Sequence, residues 1–483
     1  LWIYIPEIEI FRRTKVMKKM LVLWGMAACL LIGSTGCNIA DKVSPDGSQR
    51  EDGEAVIQLI TLDPGHFHAA LVQKLMYPQI SPTVHVYAPA GFEVESHLKL
   101  IEGFNSQEES PTNWEEEVYT GEDFFEKMLA DKKGNLVVLA GNNKKKAEYI
   151  KACVDAGLNV LADKPMCINK EGYETLLAAF DSAKKNNVLI YDIMTERSEI
   201  TTILQKELAH NPELSGKLVS GSQEEPAIVK ESVHHFFKYV SGKPLQRPAW
   251  AFDTTQQGEG IVDVTNHLLD LIMWEAFPEQ IITNEDIEIL SAKRWPTLIS
   301  REQFEKVTGV SEFPDYLKDS LNEKGELVCY ANGQIDYKLK GIHSQAIVKW
   351  NYQAPEGAAD THYSIMRGSG ANIIIRQGAE QNYKPELFVE PAEDMEKSAV
   401  ESALAEAIES IRANYPGVEL GETANGWQVT IPDEFRIGHE AHFAEVMKRY
   451  LGYLDQGALP EWEESNMKVK CFTTTQALEK AME

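Results

Sequence analysis

Residues 157–169, GLNVLADKPMCIN, decide how this chain is read. Gly157 closes a helix, Leu158 to Ala162 form a short buried-strand run interrupted only by Asn159, and Asp163, Lys164 and Pro165 stand at its carboxyl end. In an open parallel sheet, ligands lie in the crevice outside the strand ends, so chemistry is expected at this edge. Pro165 has a fixed φ and biases Lys164 away from helical geometry, which holds the ammonium in an extended pose. A Lys-Pro after a strand is by itself more often an ordinary loop, so its meaning rests on its neighbours.

Upstream, Ala55 to Asp63 (AVIQLITLD) reads as a strand, and Pro64-Gly65-His66-Phe67-His68 turns it into a helix from about Ala69 to Met76. Further strands are expected at Thr83–Ala88, Asn135–Ala140 and Val188–Ile193, with helices between them. Such alternation predicts an α/β fold whose doubly wound parallel sheet is covered on both faces. The first turn is where a dinucleotide's pyrophosphate would meet a helix N-terminus. A full G-x-G-x-x-G would place glycines at 63, 65 and 68; the chain has Asp63, Gly65 and His68, and keeps only the glycine needed for close approach. The second strand ends in Tyr87-Ala88-Pro89 without the usual acid for a ribose hydroxyl, although Glu93 and Glu95 lie close enough to reach back. Asn142 and Asn143, after the strand at 135, either cap the next helix or bond a ligand.

With 483 residues, 43% of them hydrophobic, the chain is long enough for two domains with cores of their own. Its formal charge of −27 argues against nucleic acid or an anionic membrane surface as a partner. Met17 to Gly36 has Lys18 and Lys19 before a short apolar core and small residues before Cys37. This resembles a bacterial lipoprotein signal, with Ser34 where an aliphatic residue is usual. It implies an exported protein tethered to a membrane through a lipidated Cys37, with Asn38 to Gly53 as a solvated tether. An uncleaved anchor is the alternative. Leu1 to Val16 precede the first methionine, Met17; if they are translated, Arg12-Arg13 stands in the manner of a twin-arginine signal. Among Cys153, Cys167, Cys329 and Cys471 there is no C-x-x-C or Cys/His metal spacing, so buried thiols and no metal are expected, with a disulfide as the alternative outside the cytoplasm.

Beyond Met194 the pattern changes: a helix at about 198–209, a strand near Lys217–Ser222, then a less regular run. Within that run lies Gly258-Glu-Gly-Ile-Val-Asp263-Val-Thr-Asn-His267, leading into Leu-Leu-Asp-Leu-Ile-Met-Trp274. Leu268, Leu271 and Ile272 fit a helix with one buried face, while Asp263 and His267, four residues apart, share another. A carboxylate beside an imidazole suits proton transfer, although a surface ion pair is the commoner fate of this spacing. Strands are expected at 326–329, 342–352, 363–367 and 372–376, and an amphipathic helix at 393–414. His234 to Phe237, Trp250, His362 and Arg367 are candidates to line a sugar site, by stacking and hydrogen bonding.

Together, the glycine-containing turn, V-L-A-D-K-P and G-x-G-x-x-D-x-x-x-H resemble the glucose-fructose oxidoreductase, inositol dehydrogenase and MocA family over roughly Ala55 to Trp274, and over the closing helices from His439 to Glu483. The resemblance implies a Rossmann domain (55–194) and a C-terminal α/β domain (195–438) whose large, open, mainly antiparallel sheet covers the nicotinamide and often joins subunits. Residues 439–483 would be closing helices packing back on the Rossmann domain, and residues 1–54 the signal and tether. Lys164, Asp263 and His267 would be the catalytic trio. Gly65, His66, Phe67, His68, Asn142, Asn143, Lys164 and Pro165 would contact a tightly held NAD or NADP. Asp163 replaces the family's glutamate before the Lys-Pro, and Lys146 replaces a histidine three residues beyond Asn143. The implied activity is hydride transfer between nicotinamide and a hydroxyl-bearing carbon of a sugar, glycoside or cyclitol, with His267 as base. Two alternatives stand beside it: a glycoside hydrolase that oxidises transiently and eliminates, and a non-catalytic sugar-binding lipoprotein.

Overall fold

The computed structural model describes residues 57–240 and 243–483; the signal and tether expected at 1–54, Cys37 included, lie outside the described residues. Six parallel strands form the first sheet: β1 (Leu59–Leu62), β2 (Thr83–Ala88), β3 (Glu115–Thr120), β4 (Leu136–Leu139), β5 (Asn159–Asp163) and β6 (Ile190–Ile193). Their order is β3-β2-β1-β4-β5-β6. LITL in β1 and LVVL in β4 are buried at every position, as a sheet covered on both faces requires. The order reverses between β1 and β4, which opens a crevice at their carboxyl ends. The backbone N–H groups of Gly65 and His66 both donate to Ala140 O, at 3.2 and 3.0 Å, and tie the first turn to the end of β4.

Strand β3, Glu-Glu-Glu-Val-Tyr-Thr, is not foreseen by the sequence reading because it is an edge strand carrying three glutamates and has no apolar run. Edge strands are commonly blunted with charge in this way.

The second sheet has nine strands among the described residues. In spatial order they are 287–299, 327–339, 342–353, β7 (Ile228–Phe237), 361–367, 371–377, 386–391, 427–430 and 419–422. Neighbours are antiparallel except for 342–353 beside β7, which are parallel. Residues 217–222, expected as a strand, contribute only a bridge between Leu218 and Gly368. Gly216 and Gly221 take left-handed φ values of 66° and 64°, which interrupt an extended run. The strand is β7 instead, whose mixed IVKESVHHFF pattern hides its period of two.

Helices Ile200–Ala209 and Thr265–Ala276 pack on this sheet, Gln205 donating to Ile373 O at 2.9 Å. The last two helices, His439–Gln456 and Glu461–Met482, return to the first sheet. There Phe443, Met447, Tyr450 and Met467 join its core, and the Tyr450 hydroxyl donates to Val160 O or Leu189 O, each 2.9 Å away. A fully buried ionic group locks the arrangement. Arg197, just after β6, meets Asp270 with Nε and Nη2, both at 2.6 Å, and Glu463 with Nη1 at 2.9 Å. Lys470 joins Asp270 and Asp192 at 2.8 and 2.6 Å.

Candidate active site

Lys164 follows β5 and its Nζ donates to Asp263 Oδ1 at 2.7 Å, although the two residues lie 99 positions apart. Both side chains are buried, at 13% and 8% exposed. The second oxygen of Asp263 accepts from Gln257 Nε2 at 2.9 Å. Burial disfavours the Lys164 ammonium, but Asp263 and Asp163 outweigh it and leave the pKa above its usual value, so the group is a fixed positive charge. His267 stands on the first turn of the helix Thr265–Ala276, with Nδ1 buried and unpartnered among the described residues. Burial first, and then the Lys164 charge, push its pKa down to about 4. At neutral pH it is an uncharged imidazole able to take a proton.

One expectation is corrected here: Asp263 does not share a helical face with His267. The helix starts at Thr265, and Asp263 lies in the preceding turn, its N–H bonded to Glu259 O at 2.9 Å. The carboxylate therefore turns to the ammonium and not to the ring. The glycines before this helix also have a role in packing: a Cβ on Gly260 would sit 1.9 Å from Ala331 O, so only glycine lets this turn lie against the second sheet.

Three spaces lie in this region, two of them bordered by members of the trio. One of about 780 Å³ runs along Pro64, Gly65, His66 and Phe67, with Trp250 opposite. A smaller one of about 350 Å³ continues past Asp63, Pro89, Glu93, Lys144 and Lys145. A third, the polar space, of about 870 Å³, is lined by Glu196, His234, His267, Asp360 and His362 along with apolar side chains. Lys164, His66, Phe67 and Arg247 line both the first and the third, so the lysine stands at their junction.

The first two spaces fit a dinucleotide. They follow the crevice at the switch point, and a Cβ on Gly65 would come within 3.0 Å of Trp250 Cζ2 and narrow the channel. Glu93 lines both of these spaces and could accept from a ribose hydroxyl, while Glu95 lines neither. Lys144 and Lys145 bring positive charge to the smaller space, which could meet a phosphate. Asp63, at φ 48° in place of the first glycine, is pushed up to about 6 by burial and then by Glu93, with Lys145 opposing.

Of the residues expected to contact cofactor, Gly65, His66 and Phe67 face the crevice. Asn142 lines its small end and donates to Gln256 Oε1 at 2.7 Å. His68 faces only the polar space. Asn143 and Pro165 line none of these three spaces. Asn143 is buried, its backbone N–H bonded to Gln256 O at 3.0 Å and its Nδ2 to Gln257 O at 2.7 Å, so it positions the glutamine that holds Asp263. Pro165 follows a cis peptide bond with Lys164. Lys146 is also buried and donates to Asp163 O at 2.9 Å; burial brings its pKa down to about 8, against the opposing pull of Asp163.

Among the sugar-site candidates, His234 and His362 face the polar space, and Phe236 and Trp250 the crevice. His235 is bonded to Asp360 at 2.8 Å, Phe237 packs near Tyr352 in the core, and Arg367 points to Pro226 O at 2.6 Å. Cys153, Cys167, Cys329 and Cys471, the cysteines among the described residues, are buried and form no disulfide with one another.

Two residues of the site escape sequence reasoning. Arg247 is anchored through Nε to Phe236 O (3.0 Å) and lies 5.0 Å over the Trp350 ring, while the acids that act on its charge, Asp360 and Asp263, are paired with Lys238 and Lys164. Burial lowers its pKa to about 10, with Asp360 and Asp263 opposing. Glu196 is pushed up by burial but held below its usual range by His267, His439, His442 and His362, and His439 Nε2 lies 3.8 Å from it. Neither sits in a motif; only folding brings them to the lysine.

Comparison with known proteins completes the picture. Residues 88–191 match the family model "Oxidoreductase family, NAD-binding Rossmann fold", and residues 204–482 match "Putative oxidoreductase C terminal domain". A solved structure described as a "putative oxidoreductase" from Parabacteroides merdae ATCC 43184 is 56% identical, covers 89% of this chain and 98% of its own, and has a TM-score of 0.87. Levoglucosan dehydrogenase in complex with NADH and levoglucosan shares the fold at 12% identity (88% and 97% covered, TM-score 0.55). A 3-ketoreductase from Actinomadura kijaniata, in complex with NADP, does so at 12% identity (86% and 95% covered, TM-score 0.50). No curated protein matches the chain.

Proposed function

The chain belongs to the glucose-fructose oxidoreductase, inositol dehydrogenase and MocA family of oxidoreductases, and from that premise we propose that it transfers hydride between nicotinamide and a hydroxyl-bearing carbon of a sugar, glycoside or cyclitol. The observation that carries this reading is the place of Lys164, anchored by Asp263 between the crevice that suits a dinucleotide and the polar space that holds His267. A bound nicotinamide supplies the hydride acceptor or donor. In the oxidative direction the neutral His267 takes the hydroxyl proton, and the Lys164 ammonium stabilises the charge that develops on the same oxygen. Asp263 keeps that ammonium charged and aimed. Mixed acids, amides and imidazoles in the polar space suit a polyhydroxyl substrate. Levoglucosan, which levoglucosan dehydrogenase binds beside NADH on the same fold, is of that class.

A second reading, net glycoside hydrolysis through transient oxidation and elimination, is favoured by Glu196 and His439, an acid and imidazole facing the same space from other elements. It needs a dinucleotide that stays bound and is recycled. One experiment separates the readings. The purified protein is denatured and the supernatant assayed for NAD(H) and NADP(H); the native protein is then given an aryl glycoside without added cofactor. Chromophore release together with bound nucleotide supports hydrolysis, and nucleotide reduction without release supports net oxidation. Absence of any nucleotide, bound or bindable, would leave only the sugar-binding alternative.

From the sequence of residues 17–37 we further propose export and tethering through lipidated Cys37. Among the described residues no helix is long and apolar enough to cross a membrane. Mass spectrometry of the N-terminal peptide should find a diacylated cysteine, absent in C37S. Association through the second sheet is expected on family grounds, with light scattering as its check.

A further inference from the structure

Next to Lys164, the turn after β1 and the end of β5 bring together three side chains of metal-binding type, His66, His68 and Asp163, none of which moves a proton or hydride in the reaction proposed above, although His66 also lines the crevice. His68 Nδ1 lies 2.9 Å from Asp163 Oδ2 and His66 Nδ1 lies 3.7 Å from the same oxygen. One donor atom from each of the three lies within 4.8 Å of the other two. Asp163 is 4% exposed, and no ammonium or guanidinium is hydrogen-bonded to its carboxylate among the described residues, although Lys146 is close enough to stabilise its charge. Lys146 spends its ammonium on the Asp163 backbone carbonyl, and Lys164 spends its own on Asp263, giving Asp163 Oδ1 only a backbone N–H at 3.0 Å. The remaining oxygen, Oδ2, faces the two imidazoles and no ammonium or guanidinium among the described residues. A buried carboxylate calls for a cation close by.

We propose that His66, His68 and Asp163 form a binding site for one divalent first-row transition cation. Two imidazoles and a carboxylate on one face are a donor set that such ions accept while keeping open positions. Here the open side gives onto the polar space, which both histidines line. His439, whose ring lies 5.7 Å from that of His68, and Glu196 beyond it stand ready as further donors. The site also explains the sequence of the turn: histidine at 68 replaces the third glycine of the nucleotide fingerprint because the position serves a ligand of a different kind. Sequence spacing hides the set, since Asp163 lies 95 residues from His68.

The experiment uses the full protein stripped with a chelator and titrated with Co²⁺, read by its visible ligand-field absorption, with Zn²⁺ as competitor and elemental analysis of the unstripped protein. The expected result is uptake of one equivalent, displacement by Zn²⁺ and a raised melting temperature. H66A and D163N should each lower Co²⁺ affinity at least tenfold. H66A is the decisive variant because it removes a donor that is 27% exposed and leaves the buried His68–Asp163 contact intact, so a folded protein is retained. Failure of the wild type to take up Co²⁺, or equal uptake by H66A, would overturn the site and identify the group as a hydrogen-bonded pair that braces the turn. Nucleotide release is measured on the wild type alone, so that failure of the cation site and failure of the hydride-transfer reading are told apart.

Discussion

Replacing Lys164 by methionine keeps the aliphatic stem and removes the charge, and the structure gives two separable magnitudes for it. The catalytic one is the loss of a charged donor to the developing alkoxide, which elsewhere costs about 10²- to 10³-fold in turnover, or about 3–4 kcal/mol. The structural one comes from Asp263, 8% exposed, whose contact with Lys164 is 2.7 Å. Stripping one partner from a buried pair costs about 3–5 kcal/mol, because a charge is left uncompensated. Here Gln257 still donates to the other oxygen at 2.9 Å, which puts the cost at the lower end. In the double variant K164M/D263N the orphan charge is gone, and most of the stability should return. Activity should not return. The assay is a pair of measurements on the wild type, the two single variants and the double variant: urea unfolding for stability, and single-turnover nucleotide reduction for chemistry. If K164M/D263N regains turnover along with stability, Lys164 is a packing residue and the mechanism is wrong. Full activity in K164M alone leads to the same conclusion.

Three further outcomes are expected. Because the folded pKa of His267 is lowered to about 4, the base is still deprotonated at mildly acidic pH; the oxidation rate should stay flat from pH 7 to about 5 and fall only near 4, whereas an acid limb near the ordinary histidine value of about 6.5 would remove His267 from the role of base. Glu93, as the carboxylate of the crevice, should favour NAD over NADP, so E93Q should lower NAD affinity relative to NADP in fluorescence titrations; an unchanged ratio would place the ribose elsewhere. In the buried ionic group, D270N removes the acceptor of two Arg197 contacts at 2.6 Å and one Lys470 contact at 2.8 Å, and should cost about 3–5 kcal/mol in urea unfolding; a loss under about 1 kcal/mol would show that the group relaxes without it.

The first sheet is legible in the sequence because its central strands are buried on both faces and therefore carry unbroken apolar runs: Thr83–Ala88 has the limits its pattern predicts, and β1, β4, β5 and β6 lie within or nearly within theirs. β3 and β7 are not legible, one because it is a charged edge strand and the other because lysine and histidine along it face a sheet surface that is partly polar. In the site, Lys164, Asp263 and His267 come from short patterns with a physical reason for each residue type. The partnership that spacing suggests for Asp263 is wrong, since four residues imply a shared face only where the helix already exists, and this one begins at Thr265.

By itself, then, the amino-acid sequence determined the periodicity of the strands, the turn that carries Gly65 and the residue types available for chemistry, because these are local properties of neighbouring side chains. Tertiary structure alone decided which groups meet: Lys164 with Asp263 across 99 residues, His68 with Asp163 across 95, Glu196 with His439, and Arg247 above Trp350. These contacts depend on how two sheets and the returning helices pack, and the local pattern around any one residue carries no record of a partner that close packing brings up from a distant part of the chain.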